Sequence, residues 1–342
     1  MPFKLLHFPY LVQEKIYKEM TYSELFLMSV LSTRTKKSIQ RVRFNTDKLR
    51  YIFAANGKSL QVSRNHNCDR ITSMKEFPHL KKRDTCLVKF GDLEVRTKFR
   101  LYESEGVTCN QMKVNYLDKE HQRAFQKYIN CLFGYSKSNE LHLSLDGDQM
   151  SVIDNISDTI VDGDTVEMSD LEEYFEKNPN QKSVYIQAKM NGELLKNSKL
   201  FGIESILIDN SNEFSASILQ NFTGRHLVFL GGAIFKTTDI IEFVRKWINN
   251  EAYQKLETVW IKMETEKSDI DMFGVQENLP VIEYNPLTRP PKYIYNPKII
   301  GYGHGEINVG GYSYFDVVRK GDGKKASFMI TPMQFIFLVW NS

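Results

Sequence analysis

The sequence predicts a mixed α/β (α+β) fold: three short N-terminal helices, then an α/β region with antiparallel hairpins at its start and at its C-terminal end. Three observations carry this. Apolar residues recur at helical spacing through the first forty positions, an Asn56-Gly57 pair sits between two alternating runs, and strand-like triplets recur further on with helical segments between them. The 342 residues are 42% hydrophobic and 25% charged, a composition that excludes disorder and collagen and leaves room for more than one core. No stretch reaches the roughly 18 apolar residues of a membrane span. Four cysteines (Cys68, Cys86, Cys109, Cys131) without a C-x-x-C pair fit free thiols in a reducing compartment, so an intracellular protein of cytoplasm or nucleus is expected.

The net charge of +3 hides an asymmetry. Residues 1–100 hold 21 Lys and Arg against 9 Asp and Glu, and the remaining 242 hold 24 against 33, a balance of +12 set against −9. The N-terminal third therefore presents a different surface from the body.

Phe8-Pro9 opens the first helix, whose Leu11, Val12, Ile16 and Met20 form an apolar stripe opposite Glu14, Lys15, Lys18 and Glu19. Thr21 or Ser23 can cap a second helix through Leu31, apolar around its whole circumference and so in need of cover. Ser32 or Thr33 starts a third, basic helix carrying Arg34, Lys36, Lys37, Arg41 and Arg43 over Ile39 and Val42. Units below about 40 residues rarely fold alone without a disulfide, a metal or a partner. Either the three helices pack on their own chain, or they form a docking surface.

Strand character follows. Arg50–Ala55 and Leu60–Val62 flank Asn56-Gly57, and further β runs appear at Cys86–Phe90, Leu93–Val95 and Thr97–Tyr102, a small antiparallel region. His121–Phe133 has helical spacing, with Phe125, Tyr128, Ile129 and Leu132 on one face. Leu143/Leu145, Val184/Ile186, Ile206/Ile208, Leu227/Phe229 and Val259/Ile261 read as inward pairs of short strands, with helices expected over 214–222 and 238–249. One strand and one helix per 20–30 residues matches leucine-rich-repeat spacing in degenerate form. The intervening Tyr185, Leu207, Val228 and Trp260 predict a sheet covered on both faces. Residues 274–311, rich in Pro, Gly and Asn, read as loop, and the chain closes in hairpin strands around Gly321-Asp322-Gly323.

The order Phe8-Pro9-x-Leu11-Val12-x3-Ile16-x3-Met20-x4-Leu25-Phe26-x-Met28-Ser29-x2-Ser32-x-Arg34-Thr35-Lys36 resembles the F-box, with Phe8 and Met20 standing where that motif usually has Leu. At the other end, Asp316, Arg319, Asp322, Gly323, Ala326, Phe335, Phe337, Val339 and Trp340 are similar to the C-terminal pattern of the nematode F-box proteins that carry a type 2 F-box-associated domain. The Lys320–Gly323 turn departs from that pattern in length, which leaves the local register open. The resemblance implies an F-box over residues 1–45, docking on a Skp-type adaptor and through it on a cullin-RING ubiquitin ligase, and a substrate-holding domain over 46–342. It assigns the adaptor surface to Phe8, Pro9, Leu11, Val12, Ile16, Met20, Leu25, Phe26 and Met28. The substrate protein and the residues that hold it stay open.

No catalytic constellation, cofactor cradle or metal set emerges. His66-Asn-Cys68 lacks a second ligand pair, Gly301-x-Gly303-x-Gly305 lacks the Lys and Ser/Thr of a phosphate loop, and Asp146-Gly-Asp148 and Asp162-Gly-Asp164 lack calcium-loop spacing. A non-catalytic receptor is the expectation. A nucleic-acid-binding protein using the basic third, or a structural interaction protein, is the alternative. The lack of a nucleic-acid motif and the acidic body argue against the former.

Overall fold

The computed structural model describes residues 5–340 apart from 45–47, 54–57, 65–68, 105–106, 135–138, 145–152, 284, 286, 288, 297–303 and 311–313. The Asn56-Gly57 turn, Cys68 and its neighbour His66, Asp146-Gly-Asp148, Leu145, Gly301 and Gly303 lie outside the described residues. The chain forms two compact units, Met1–Thr159 and Ile160–Ser342.

In the first unit a short 3-10 turn, Leu5–His7, leads into α1 (Tyr10–Glu19), α2 (Tyr22–Leu31) and α3 (Thr33–Gln40). Local chemistry sets their starts. Thr21 and Glu24 form a reciprocal capping box, the Glu24 amide donating to Thr21 Oγ1 (3.2 Å) and the Thr21 amide to Glu24 Oε2 (2.9 Å). Ser32 Oγ accepts from the Thr35 amide at 3.3 Å and caps α3. This helix ends at Gln40, so Arg41 and Arg43 lie beyond it.

The sheet of this unit comprises β1 (Leu49–Phe53), β2 (Ser59–Arg64), β3 (Asp69–Glu76), β4 (Cys86–Phe90), β5 (Leu93–Ser104), β6 (Val107–Val114) and, after α4 (Lys119–Phe133), β7 (Asn139–Ser144). Its order is β7-β1-β2-β3-β6-β5-β4. β1 and β2 pair antiparallel down to Phe53 opposite Leu60, the hairpin expected there. The region is not purely antiparallel, however: β3 runs parallel to β6, and β1 parallel to β7. Each parallel pair is joined by a long crossover, one holding the β4–β5 hairpin and the other the strands β2–β6 and α4, as parallel pairing requires. β5 is one twelve-residue strand where the sequence suggests two. α4 is capped by Asp118 Oδ1, which accepts from the Glu120 and His121 amides (2.9 and 3.0 Å), and it stops at Gly134, whose φ of +63° is the left-handed conformation a helix terminator adopts.

β8 (Ile156–Asp162) spans the junction of the two units. The second unit continues with β9 (Thr165–Glu167), α5 (Met168–Lys177), β10 (Ser183–Ile186), β11 (Lys189–Asn191), β12 (Ser205–Ile208), α6 (Ser215–Asn221), β13 (His226–Ala233), α7 (Thr237–Ile248) and β14 (Thr258–Met263). It closes with α8 (Met272–Glu277), β15 (Ile282–Glu283), β16 (Lys292–Ile294), β17 (Glu306–Asn308), β18 (Phe315–Val318), β19 (Lys325–Ile330) and β20 (Gln334–Val339). Strands β10, β12, β13 and β14 lie side by side in sequence order, all parallel. The predicted inward residues line up across them as Val184–Ile206–Leu227–Val259 and Ile186–Ile208–Phe229–Ile261. β20 adds antiparallel to β14, placing Phe337 beside Val259 and Phe335 beside Ile261, and β19, β18 and β15 follow.

Ring contacts seal the α7 side: Phe243 meets Phe335 and Phe337, and Trp247 meets Phe337, at centroid separations of 5.2–5.9 Å. On the opposite side Tyr293, Val309, Tyr314, Ile336 and Leu338 form a second cluster with Trp260 and Trp340 packed against it. Part of the proline-rich 274–311 stretch therefore carries structure, the β16–β17 hairpin, and supplies cover for that face.

Candidate docking surface on the N-terminal helices

α2 is held by the first unit's own core. Leu25 and Phe26 are fully buried, and the Phe26 ring meets Phe125 and Tyr128 edge-on at 6.1 Å each. Phe90 of β4 meets the same two rings at 5.7 and 5.0 Å. Polar ties fix the helix further. Asn110 Nδ2 donates to Ser23 Oγ (2.7 Å), and the Tyr128 hydroxyl donates to Ser29 Oγ (2.9 Å). Burial pushes the Tyr128 phenol up to about 12.

α3 lies against α4. Gln40 Nε2 donates to the Cys131 carbonyl (3.3 Å) and sulfur (3.0 Å), while Lys36 Nζ sits 4.0 Å over the Tyr128 ring. Partial burial lowers the Lys36 pKa, with Cys131 acting in the opposite sense.

α1 is fastened more lightly. The Tyr10 hydroxyl donates to the Arg41 carbonyl (2.9 Å), Ser38 Oγ donates to Gln13 Oε1 (2.6 Å), and Tyr17 is fully buried. The rest of its apolar surface faces outward: Leu11 is 72% exposed, Val12 40% and Phe8 39%, with Pro9 and Tyr10 exposed as well. Ile16, Met20 and Met28 are half-buried.

The nine positions assigned to the adaptor thus divide. Phe8, Pro9, Leu11 and Val12 form one exposed run, and Ile16, Met20 and Met28 are partly available. Leu25 and Phe26 are not part of any surface in this fold, because β3, β4, β6 and α4 cover the second helix from below. Leu31, Tyr10, Leu5 and Leu6 were not singled out from the sequence. Leu31 is 74% exposed at the end of an all-apolar helix, where periodicity carries no signal for which side faces out.

Between the Leu5–His7 turn, α2 and α3 lies an open groove of about 790 Å³. Leu5, Leu6 and Met28 give it an apolar lining, and Arg34, Lys37 and Arg41 line it with positive charge. Among the described residues none of these three cations is ion-paired. An apolar recess with unneutralised cations suits a partner that brings apolar anchors and carboxylates.

The C-terminal motif residues turn inward, apart from the exposed Asp322 and Gly323. Asp316 accepts from Arg289 Nε (2.9 Å) and Ser327 Oγ (2.6 Å), and Trp340 Nε1 donates to Ser327 Oγ (2.8 Å). Arg319 Nη2 pairs with Asp322 Oδ2 at 2.5 Å, and this guanidinium holds the Asp322 carboxyl down at about 2. These residues tie strands and turn together, and the exposed Asp322 carboxylate is engaged by Arg319. Among the described residues no cluster of three His, Cys, Asp or Glu side chains could hold a metal ion, and no helix is long and apolar enough to cross a membrane. Comparison with family models, with curated proteins and with solved structures found no match to the chain.

Proposed function

We propose that the chain is a non-catalytic receptor subunit of a Skp-cullin-F-box type ubiquitin ligase, its N-terminal helices docking on a Skp-type adaptor and the rest of the chain holding a substrate protein. The observation that carries this reading is the exposed apolar run Phe8-Pro9-Tyr10-Leu11-Val12 at the start of α1, in the register of the F-box pattern. A contiguous apolar strip next to a cation-lined recess marks an interaction surface rather than ordinary exterior. The basic rim on α3 suits an acidic adaptor and speeds encounter with it. The four sequential parallel strands of the second unit support the degenerate-repeat reading of the substrate-holding part. Its contribution to ubiquitin transfer is proximity, raising the effective concentration of substrate lysines near a charged enzyme with no bond chemistry of its own. An intracellular site of action follows from that role.

Leu11→Asp and Val12→Asp test it. Each removes exposed apolar surface, so the folded chain keeps its stability while adaptor co-purification falls at least about tenfold, the effect of losing roughly 1.4 kcal/mol of binding. Phe26→Ala is the contrast. It opens the core and costs about 3–5 kcal/mol of stability, so loss of binding in that variant reports unfolding. Unchanged co-purification in both aspartate variants contradicts the reading.

A further inference from the structure

The face of the first unit's sheet opposite α2 carries more cations than the carboxylates of its own fold neutralise. Alternation along β5 puts Arg96, Lys98 and Arg100 on one face, while Val95 and Thr97 are buried on the other. The register carries this face across the sheet. Lys98 stands directly opposite Lys113 of β6, and Lys113 is paired in turn with Lys75 of β3. Like charges in directly opposed positions destabilise a sheet, so a row of three lysines across three strands costs stability that their partial partners, Asp84 beside Lys98 and the Phe77 ring under Lys113, offset only in part. The segment joining β3 to β4 crosses on this side, with Lys113 Nζ 4.8 Å over the Phe77 ring and Arg96 Nη1 donating to Thr85 Oγ1 at 3.3 Å. It brings Lys81, Lys82 and Arg83, all exposed. The carboxylates that answer are few: Asp84 lies 3.8 Å from Lys98 and 3.7 Å from Arg83, and Glu94 pairs with Lys89 at 2.8 Å.

The edge of this face is open. β4 pairs with β5 only from Leu93 to Thr97, and among the described residues no strand pairs with the outer side of β5 beyond that point. Lys98–Glu103 is therefore a strand edge flanked by Lys98 and Arg100 on the cationic face and by exposed Leu101 on the other. An unpaired strand edge is a template for an added strand.

We propose that this edge receives an extended acidic segment of a partner protein, which adds as a strand to β5 and sets carboxylates or phosphates, spaced by two residues, against Lys98 and Arg100. Residues two apart in a strand are about 6.7 Å apart on either chain, so cations and anions keep step along the edge. A single-stranded nucleic acid is the poorer occupant. The aromatic side chains nearest this face, Phe77 and Tyr102, are each taken by a cation, Lys113 and Arg70, and stacking on bases needs free rings. Within the receptor reading above, this segment belongs to the substrate, yet its binding does not require the adaptor.

The test uses the full chain without adaptor and a labelled peptide of alternating Glu and Val, followed by fluorescence anisotropy and by amide hydrogen exchange. Binding that weakens with added salt, together with slowed exchange at Lys98–Glu103, is expected. The Lys98→Glu/Arg100→Glu variant should lose about tenfold in affinity for that peptide and gain affinity for its Lys-Val counterpart. Lys98→Gln/Arg100→Gln serves if the reversal does not fold. Equal binding of both peptides by the unaltered chain, no protection at Lys98–Glu103, or an oligothymidine that binds more tightly than the Glu-Val peptide and displaces it overturns the proposal. Failure here with adaptor binding intact removes this inference alone. The opposite pattern removes only the adaptor reading.

Discussion

Tyr128 illustrates how one side chain joins core, helix and titration. Its ring packs on Phe26 and Phe90, its hydroxyl donates to Ser29, and burial lifts its phenol from 10.0 to about 12. In the unfolded chain the phenol ionises near its ordinary value, whereas in the folded chain it stays protonated longer. The stabilisation is thus fully present below pH 10 and is lost as pH rises from about 10 to about 12. Denaturant unfolding of the first unit followed across that window should show a fall in stability that Tyr128→Phe removes; an identical fall in the variant rejects the assignment. At this scale the sequence was legible where periodicity was strong. Phe125, Tyr128, Ile129 and Leu132 fall on the buried side of α4 as their spacing predicts. It was least legible for Leu25 and Phe26, because a helix that is apolar all round looks the same whether it is buried by its own chain or by a partner.

The helices α1–α3 act as a lid on the first unit's sheet as well as carrying an exposed strip. α2 packs on β3, β6 and β4, and Asn110 in β6 spends its side-chain amide on Ser23 and on the Ile71 carbonyl. Removing residues 1–45 therefore uncovers the parts of β3, β6 and β4 beneath α2 and leaves that amide without its Ser23 partners. A chain beginning at residue 46 should bind an apolar dye and lose the cooperative transition of the first unit. Unchanged near-UV dichroism in that truncation is the contrary result. Elements were readable from the sequence where Thr21, Ser32 and the Asn56-Gly57 signal mark boundaries by known chemistry, whereas β3, β6 and β8 carry no such signal and were not expected. α5 was missed although Met168, Leu171, Tyr174 and Phe175 recur at helical spacing. The parallel pairing of β3 with β6 had no local signal, because it is set by where a long crossover returns.

Across the whole molecule the charge asymmetry follows the two units: Met1–Thr159 holds 26 Lys and Arg against 18 Asp and Glu, a balance of +8, and Ile160–Ser342 holds 19 against 24, a balance of −5. The first unit carries the cationic α3 groove and the lysine row of its sheet, and the second is built on parallel strands with apolar residues on both faces. In the proposed receptor, α1 and the groove beside it, and not the buried Leu25–Phe26 side of α2, meet the adaptor. Hydrogen exchange of the intact chain with and without a Skp-type adaptor tests this directly. Slowed exchange at residues 10–19 and 34–41 is expected on complex formation, with the buried side of α2 already protected in the free chain and unchanged. No protection at residues 10–19, or new protection confined to α2, would contradict it.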